Sequence, residues 1–312
     1  MSIPGCVEEF IDPLTGLCDP SPDDCPPGYI PVISEGCVRV GIVDCHPDFI
    51  DPVTGHCDPD PDACDPYHIP VPTEGCVSLD PPGGCGEGTW GNVVLMDKDV
   101  HVDIAYTGQD SDGSREAPFT LIKDATDAVQ DGGRVVLAAG DYPEGVRITK
   151  SFELIGRCAS MVTISGAKAT VLGYDAVIRV NAGAQASISD LTASGPGVGI
   201  IAYEDVTLTL ERVALLENQE LAVWAFGSAT SLDMNQMLIA RTQPHADGTL
   251  GRGLEVQQSA ALTLSRSALV DNSEVGLTVS SEATAEVHDV LIAETQPRVC
   301  LLYTSPSPRD GL

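Results

Sequence analysis

The sequence predicts an all-β fold in which coils stack into a solenoid, preceded by small disulfide-rich modules. Three observations predict it: a short apolar pattern recurs in the second half of the 312 residues, a cysteine spacing is duplicated near the start, and sixteen of the 23 prolines precede residue 83. The predicted boundaries are 1–43 and 44–80 for two Cys-rich modules, 81–99 for a Gly/Pro-rich connector and 100–299 for the solenoid.

The recurring pattern has apolar residues at positions i, i+2, i+5 and i+7, so that the steps between them are two, three and two residues. Its copies begin at residues 186, 208, 232, 262 and 285, and Ser267 is their only polar member. Residues two apart lie on one face of a strand, and the three-residue step lets the chain turn a corner. A period of 22 to 30 residues is typical of stacked coils, none of which can bury its apolar face alone. The members are Ala186, Ile188, Leu191, Ala193; Leu208, Leu210, Val213, Leu215; Leu232, Met234, Met237, Ile239; Leu262, Leu264, Ser267, Leu269; Ala285, Val287, Val290, Ile292.

The N-terminal modules share one cysteine spacing, with eleven, six and eleven residues between successive cysteines. Because this region has little apolar material for a core, we expect disulfides to hold it, each contributing about 2–4 kcal/mol. Three pairings are possible within each module. The cysteines are Cys6, Cys18, Cys25 and Cys37 in the first module and Cys45, Cys57, Cys64 and Cys76 in the second.

A zinc site is the competing interpretation, because His46, His56 and His68 lie near these cysteines. Zinc ligands usually come in close pairs, and no such cysteine pair is present. The spacing therefore favours disulfides and, with them, an oxidising compartment.

Two cysteines outside the modules, Cys85 and Cys158, bring the count to ten when Cys300 is discounted. We expect them to form a disulfide between the connector and the start of the solenoid. Cys300 is discounted because residues 300–312 resemble a translated sequencing adaptor. We expect this tail to be an artefact, the solenoid to be cut short at residue 299, and a signal peptide to be missing from the fragment.

The start of the solenoid is predicted to be capped. A strand over 101–104 precedes a polar loop and a helix over about 118–130, which would cover an otherwise open end. Further strands are predicted at 135–138, 146–148, 153–155 and 162–164. The run from Asp110 through Gly113, Pro118-Phe119 and Gly140-Asp141-Tyr142, with the repeat, resembles secreted bacterial proteins of the pectate-lyase-like superfamily. The resemblance covers 100–299 and implies a right-handed parallel β-helix, without implying one chemistry.

Lyases of this family combine calcium-holding carboxylates with an arginine or lysine base. The fifth position of each copy supplies the catalytic candidates, which are Arg212 and Arg266 beside Asp190 and Asp289. No cluster of three carboxylates surrounds either arginine in the sequence, so we expect exposed ion pairs worth about 0–1 kcal/mol at an outward turn. The paired aspartates and Gly-His-Gly signature of the family's glycoside hydrolases do not occur in the β-helix region.

Two further candidate sites are loops. Asp110 and Asp112 have the spacing that begins a calcium loop, but Leu121 stands where the distal glutamate would be, and Asp-Gly turns are ordinary loop chemistry. Apart from this calcium candidate, no cofactor is predicted. The 30-residue interval admits an extra loop at 243–250, and His245, Asp247 and Arg252 are the candidates for ligand contact, with a solvated loop as the alternative.

Charge limits the partners. Lysine and arginine total 16 against 46 acids, for a formal net charge of -30, so neutralisation of nucleic-acid phosphates is excluded and an anionic membrane is disfavoured. No apolar run reaches the roughly 20 residues of a membrane span. Aromatic residues make up 4%, so we expect few aromatic platforms for sugars.

The sequence therefore predicts a secreted or cell-surface β-helix protein with a non-catalytic interaction or structural role, with polysaccharide or another surface component as its partner. The alternative is a polysaccharide lyase or glycoside hydrolase acting on acidic polysaccharide. A third interpretation assigns binding to the cysteine modules and makes the β-helix a spacer. The sequence leaves the oligomeric state open.

Overall fold

The computed structural model describes most of the chain. Among these residues, those up to Asp60 together with Pro72–Gly75 form one compact unit, and Pro61–Val71 with the residues from Cys76 on form a second. Cys6 and the adaptor-like tail lie outside the described residues. The described residues are 10–11, 18, 25, 29–32, 36–39, 44–53, 55–166 and 173–297.

The first unit is held by disulfides between cysteines twelve positions apart. Cys25 pairs with Cys37 and Cys45 pairs with Cys57, and Cys18 is also disulfide-bonded. Strands β1 (Tyr29–Val32) and β2 (Gly36–Arg39) form an antiparallel hairpin.

The two modules also repeat in structure. Ile11 bridges to Cys18 in the first and Ile50 to Cys57 in the second, while Phe10 and Phe49 are both buried. A 3-10 turn covers Pro47–Phe49. The duplicated sequence thus gives duplicated bridges and a duplicated aromatic anchor.

The second unit begins with a 3-10 turn at Pro61–Ala63 and a small sheet of β3 (His68–Val71) and β4 (Gly75–Ser78). The Cys64–Cys76 disulfide, again twelve positions apart, closes this hairpin.

The rest of the second unit is built of strands with one short helix. The strands are β5 (Val100–Val102), β6 (Gly133–Leu137), β7 (Gly140–Tyr142), β8 (Val146–Ile148), β9 (Phe152–Gly156), β10 (Val162–Ile164), β11 (Ala176–Val180), β12 (Gln185–Ala193), β13 (Val198–Tyr203), β14 (Thr207–Leu216), β15 (Leu221–Phe226), β16 (Ser231–Ala240), β17 (Arg252–Gln257), β18 (Ala261–Val270), β19 (Leu277–Val279) and β20 (Thr284–Ala293). The helix α1 covers Ile122–Ala128.

These strands form two long parallel sheets. Sheet A has the order β20-β18-β16-β14-β12-β9-β6-β5, with β10 and β7 attached beside β12, and sheet B has the order β19-β17-β15-β13-β11-β8. From β11 on, successive strands of the chain alternate between the sheets, so each strand pairs with the next strand but one. The chain is therefore mostly β, with parallel pairing through most of the second unit.

The pairing register follows the apolar repeat. Ile188 lies beside Leu210, Leu210 beside Met234, Met234 beside Leu264 and Leu264 beside Val287. Ile188, Leu210, Met234 and Leu264 are fully buried in the core between the sheets, whereas Val287 in the last strand is 41% exposed. The sequence repeat therefore specifies both the core residues and the register.

Each long strand of sheet A contains one residue with a left-handed backbone at the three-residue step of the repeat. The φ angles are 59° at Asp190, 52° at Arg212, 54° at Gln236, 47° at Arg266 and 58° at Asp289. A left-handed residue inside a strand changes its direction, as a β-bulge does. The corner predicted at this step is thus a single backbone conformation repeated in five strands.

Helix α1 is shorter than the predicted 118–130. Phe119 is drawn instead into a parallel bridge with Val102, and its amide donates to the His101 carbonyl oxygen at 2.9 Å. Glu144 accepts hydrogen bonds from the first helical amides, Ile122 N at 2.7 Å and Lys123 N at 3.0 Å. The helix still buries its apolar side, including Ile122 and Ala125, against the first strands of the core.

The connector is tied to the sheets by a disulfide between Cys85 and Cys158, the pair expected from the sequence. Arg157 strengthens the link by donating from Nε to the Cys85 carbonyl oxygen at 3.1 Å. Trp90 packs at the same place on the buried His101 ring, with 4.7 Å between ring centroids. No described helix has the length and hydropathy needed to cross a membrane.

Candidate functional site

Four aromatic side chains gather on the face of sheet B that points away from the core. They occur because strand residues alternate between faces: Ile200 and Ala202 enter the core, whereas Ile201 and Tyr203 lie on the other side. We call the four the aromatic strip; its members are Tyr174, Tyr203, Trp224 and Phe226.

The rings of the aromatic strip contact one another. Tyr203 stacks on Phe226 with centroids 5.6 Å apart and an interplanar angle of 18°. Trp224 lies 4.6 Å from Phe226 and 5.2 Å from Tyr174. The parallel register explains the contact, because Tyr203 pairs with Phe226 and Ile201 with Trp224 in adjacent strands.

An arginine completes the strip. The Arg179 guanidinium carbon lies 5.3 Å from the centroid of the Tyr203 ring, and Nη2 donates a hydrogen bond to the Tyr203 hydroxyl. This cation–π contact fixes the ring in place. Phe226 is 7% exposed and the other three aromatic side chains are half-buried.

A groove of about 540 Å³ adjoins the strip where the sheet B strands end in turns. Phe226 forms part of it, and the remaining lining is polar and comes from the turns of four successive repeats. We call it the turn groove; its lining is Glu204, Phe226, Gly227, Ser228, Gln258, Ser259, Ser281 and Glu282. Hydroxyl, amide and carboxylate groups therefore stand beside an aromatic ring.

The sequence did not predict this site, and its low aromatic content was expected to leave few aromatic platforms. That expectation fails locally, because the register concentrates four aromatic residues on one face. A signal was present: Ile201 and Tyr203 recur 23 positions later as Trp224 and Phe226. This second repeat lies in the sheet B strands, outside the apolar pattern of sheet A.

A cluster of charged side chains lies at the other end of the sheet B strands, around the predicted loop 243–250. His245 approaches Asp247 with Nδ1 3.2 Å from Oδ1, and its Nε2 is 3.8 Å from Oε1 of Glu220. Hydrogen bonds from Thr249 lower the pKa of Asp247 to about 2. The loop is thus an ordered turn that brings two of the three predicted contact residues together.

Glu220 is a further carboxylate of this cluster that the sequence did not single out. Burial raises the pKa of Glu220, the charge of His245 opposes the shift, and the charges of Asp247 and Asp175 add to it. Its side chain is 18% exposed. A half-buried carboxyl with a raised pKa beside other carboxylates can hold a proton and donate it.

Arg252, the third predicted contact residue, is engaged elsewhere. Its guanidinium lies 2.8 Å from Glu255 and 3.0 Å from Glu274. Two carboxylates satisfy its charge, so it offers an approaching anion little attraction.

The catalytic candidates occupy the left-handed positions of sheet A. Arg212 contacts Asp190 at 2.6 Å and also binds Glu211, and both members of the Arg212–Asp190 pair are mostly buried, at 14% and 9% exposure. Burial, which would lower the pKa of Arg212, is outweighed by Asp190 and Glu211, so that pKa lies above its ordinary value. A guanidinium held in this way is a poor base. Arg266 and Asp289 stand at the equivalent positions of β18 and β20.

The calcium candidates form a turn. Asp112 accepts a hydrogen bond from the Ser114 amide at 2.9 Å, and hydrogen bonds from Ser114 lower the pKa of this carboxyl. Asp110 has a left-handed backbone, with φ 57°. Among the described residues the one group with metal-ligand proximity is Asp80, Cys85 and Cys158, and both sulfurs belong to the disulfide, so thiolate ligands are not available there.

A polar column inside the turns is structural. Thr242 donates from its hydroxyl to Asn272 Oδ1 at 2.7 Å, and Asn272 donates to the Ile239 carbonyl oxygen at 3.1 Å. Both side chains are fully buried, so these bonds join adjacent repeats.

No family model, curated protein or solved structure matches this chain. Stacked rings beside hydroxyl and amide groups provide an apolar platform and hydrogen-bonding edges, which is a surface suited to a ligand with both properties.

Proposed function

We propose that the chain is a right-handed parallel β-helix of secreted or cell-surface type that binds carbohydrate without catalysing a reaction. Strands that alternate between two parallel sheets, and a register that follows the repeat, support the fold. The disulfides support an oxidising, extracellular location.

The aromatic strip is the observation that carries the binding proposal. The C–H faces of a sugar ring pack on an aromatic ring, while its hydroxyls require donors and acceptors at the edge. The half-buried Tyr203 and Trp224, which contact Phe226, offer the first beside the turn groove, and Ser228, Gln258 and Ser281 offer the second within it. The turns of four repeats contribute, so a polymer could lie along them.

The local charge favours a neutral or amino sugar over a uronate. Glu204 and Glu282 line the turn groove, and the formal net charge is -30. Arg179 binds Tyr203 and Arg252 binds two glutamates, whereas Arg147, which pairs with Arg179 in the adjacent strand β8, is exposed. A polyanion in the turn groove itself would meet repulsion from Glu204 and Glu282.

Intrinsic fluorescence tests the proposal, because the chain contains two tryptophans. The Trp90→Phe variant leaves Trp224 as the only indole, and its emission is followed during titration with neutral, amino-sugar and uronate oligosaccharides. We expect a saturable change in Trp224 emission with the neutral or the amino-sugar oligosaccharides. Tyr203→Ala should weaken binding by about tenfold or more, whereas Tyr106→Ala, outside the strip, should leave it unchanged. The absence of a saturable response to every oligosaccharide would refute the proposal.

Hydrolysis is the second candidate function, and Glu220 is the observation that favours it. Glycosidases need one carboxyl that stays protonated beside a second carboxylate. Burial raises the pKa of Glu220, and the charges of the carboxylates Asp247 and Asp175 add to the shift. Release of new reducing ends by the wild type and its loss in Glu220→Gln, with Glu217→Gln as the control, would favour hydrolysis over binding alone.

A further inference from the structure

A second groove, independent of the aromatic strip, lies between the disulfide hairpin of the second unit and the outer face of sheet A. Its volume is about 570 Å³, within the range of ligand pockets. Cys64 and Tyr67 stand in its hairpin wall, and Leu216, Leu238 and Val270 in its floor. We call it the hairpin groove.

The floor is an apolar surface that the hairpin covers in part. Beyond the left-handed corner, the sheet A strands place alanine and leucine on their outer side. Ile69, Val71 and Leu79 are fully buried against this surface, while Leu216 and Leu238 stay partly open beside them. The groove is the uncovered continuation of a packed interface.

The rim of the groove is acidic. The last four strands of sheet A, β14, β16, β18 and β20, are each followed by a residue with a left-handed backbone. These residues are Glu217, Arg241, Asp271 and Glu294, with φ 55°, 57°, 54° and 56°. The last three line the groove. Arg241 is paired with Glu217, Nε to Oε1 at 3.3 Å, so Asp271 and Glu294 set the charge of this edge.

The hairpin wall adds carboxylates on the opposite side. Asp62 and Asp65 line the groove there and are exposed. An apolar floor between two acidic edges is complementary to a ligand that is apolar along its centre and cationic at its sides. Lysine and arginine have this character, with an apolar stem and a charged head, and the Tyr67 ring offers a cation–π contact.

The groove runs across successive strands of sheet A, which suits an extended peptide. Adjacent strands lie about 4.8 Å apart, and alternate side chains of an extended peptide are about 6.7 Å apart, so a few residues span the four sheet A strands that contribute to the groove. We propose that the hairpin groove binds an extended peptide segment in which lysine or arginine alternates with apolar residues. The apolar side chains face the floor, and the long lysine or arginine side chains, which start on the opposite face of the strand, bend over its edges to Asp65, Asp271 and Glu294.

Fluorescence anisotropy tests this with a labelled eight-residue peptide alternating lysine and leucine, compared with one alternating glutamate and leucine. The groove variant is Asp65→Asn/Glu294→Gln, which removes one charge from each edge. The control is Asp233→Asn/Glu286→Gln, which changes the net charge equally at exposed sites outside the groove. Thermal melting of both variants checks that the fold is kept.

We expect the lysine peptide to bind and the glutamate peptide not to bind. Affinity should fall about tenfold in the groove variant, remain unchanged in the control, and weaken as salt is added. Equal loss in both variants would mean attraction to the overall negative charge, and would overturn the proposal. Equal binding by the wild type and the groove variant, or no binding at all, would also overturn it. Sugar binding at the aromatic strip is unaffected by any of these outcomes.

Discussion

Arg212 donates two hydrogen bonds to Asp190 in the adjacent strand of sheet A, Nε to Oδ1 at 2.6 Å and Nη2 to Oδ2 at 3.1 Å. Both residues have a left-handed backbone at the same place in successive repeats. The pair is mostly buried, unlike the exposed pair expected from the sequence, so its loss leaves a charge with little access to water.

The first prediction concerns this pair. Asp190→Asn keeps a side chain that tolerates the left-handed backbone but removes the charge, and should lower the free energy of unfolding by about 2–3 kcal/mol. The exposed Arg241–Glu217 pair is the control, because Arg241→Ala should cost less than about 1 kcal/mol. Urea denaturation measures both. Equal losses would show that burial of the Arg212 pair has no energetic consequence.

The second prediction concerns the Cys85–Cys158 disulfide, which has a sequence separation of 73, against 12 for Cys64–Cys76. A disulfide that closes a longer loop removes more conformational entropy from the unfolded chain. The free energy of unfolding should therefore fall by about 4 kcal/mol in Cys85→Ala/Cys158→Ala and by about 3 kcal/mol in Cys64→Ala/Cys76→Ala. Thermal unfolding of the two variants compares them. A larger loss at the shorter loop would indicate that native contacts, rather than loop length, decide the order.

The third prediction is the cysteine connectivity within the second module. Cleavage before Asp58, Asp60 and Asp62 separates the first cysteine pair from the second. Mass spectrometry without reduction should therefore find Cys45 joined to Cys57 and Cys64 joined to Cys76 in separate peptides. A peptide that links the two halves of the module would contradict the structure.

The fourth prediction concerns acid and His101. Burial lowers the pKa of this histidine below its ordinary 6.5; Asp99 opposes the shift and Arg115 adds to it. The unfolded chain then binds the proton more readily than the folded chain. The stability that neutral His101 provides is therefore complete above about pH 6.5 and is lost as the pH falls from there towards the folded-state pKa.

Urea denaturation at a series of pH values checks this. His101→Gln should make the free energy of unfolding depend less on pH below about pH 6.5. His288 is an exposed histidine of β20, so His288→Gln should leave that pH dependence unchanged. In the Trp224→Phe background the remaining Trp90 reports the local contact, because it packs on His101. A wild-type stability that does not vary over this interval would contradict the argument.

The repeat predicted much of the second unit because one physical requirement governs it. The positions occupied by Ile188, Leu210 and Met234 must be apolar to fill the core, and the same positions pair between strands. Core and register therefore follow from a single pattern. The end of the helix did not follow, because Phe119 can either continue a helix or bridge to β5, and tertiary pairing decides between them.

The candidate sites were harder to predict because they depend on which outer surfaces meet. Trp224 and Tyr203 are distant in sequence from any motif, and only the sheet B register brings them to one face. The hairpin groove needs the hairpin to pack on sheet A, which no local pattern encodes. His245 and Asp247 were placed correctly in one loop, but their neighbour Glu220 belongs to another segment.

The left-handed residue in each long strand of sheet A has a consequence for mutational tolerance. Glycine and asparagine adopt this backbone at little cost, whereas valine and isoleucine do not. In a library of all single substitutions selected for folded protein, positions 236, 266 and 289, outside the buried Arg212–Asp190 pair, should retain glycine and asparagine and reject β-branched residues. The positions at which glycine and asparagine variants are frequent among the selected sequences would then have the spacing of the repeat.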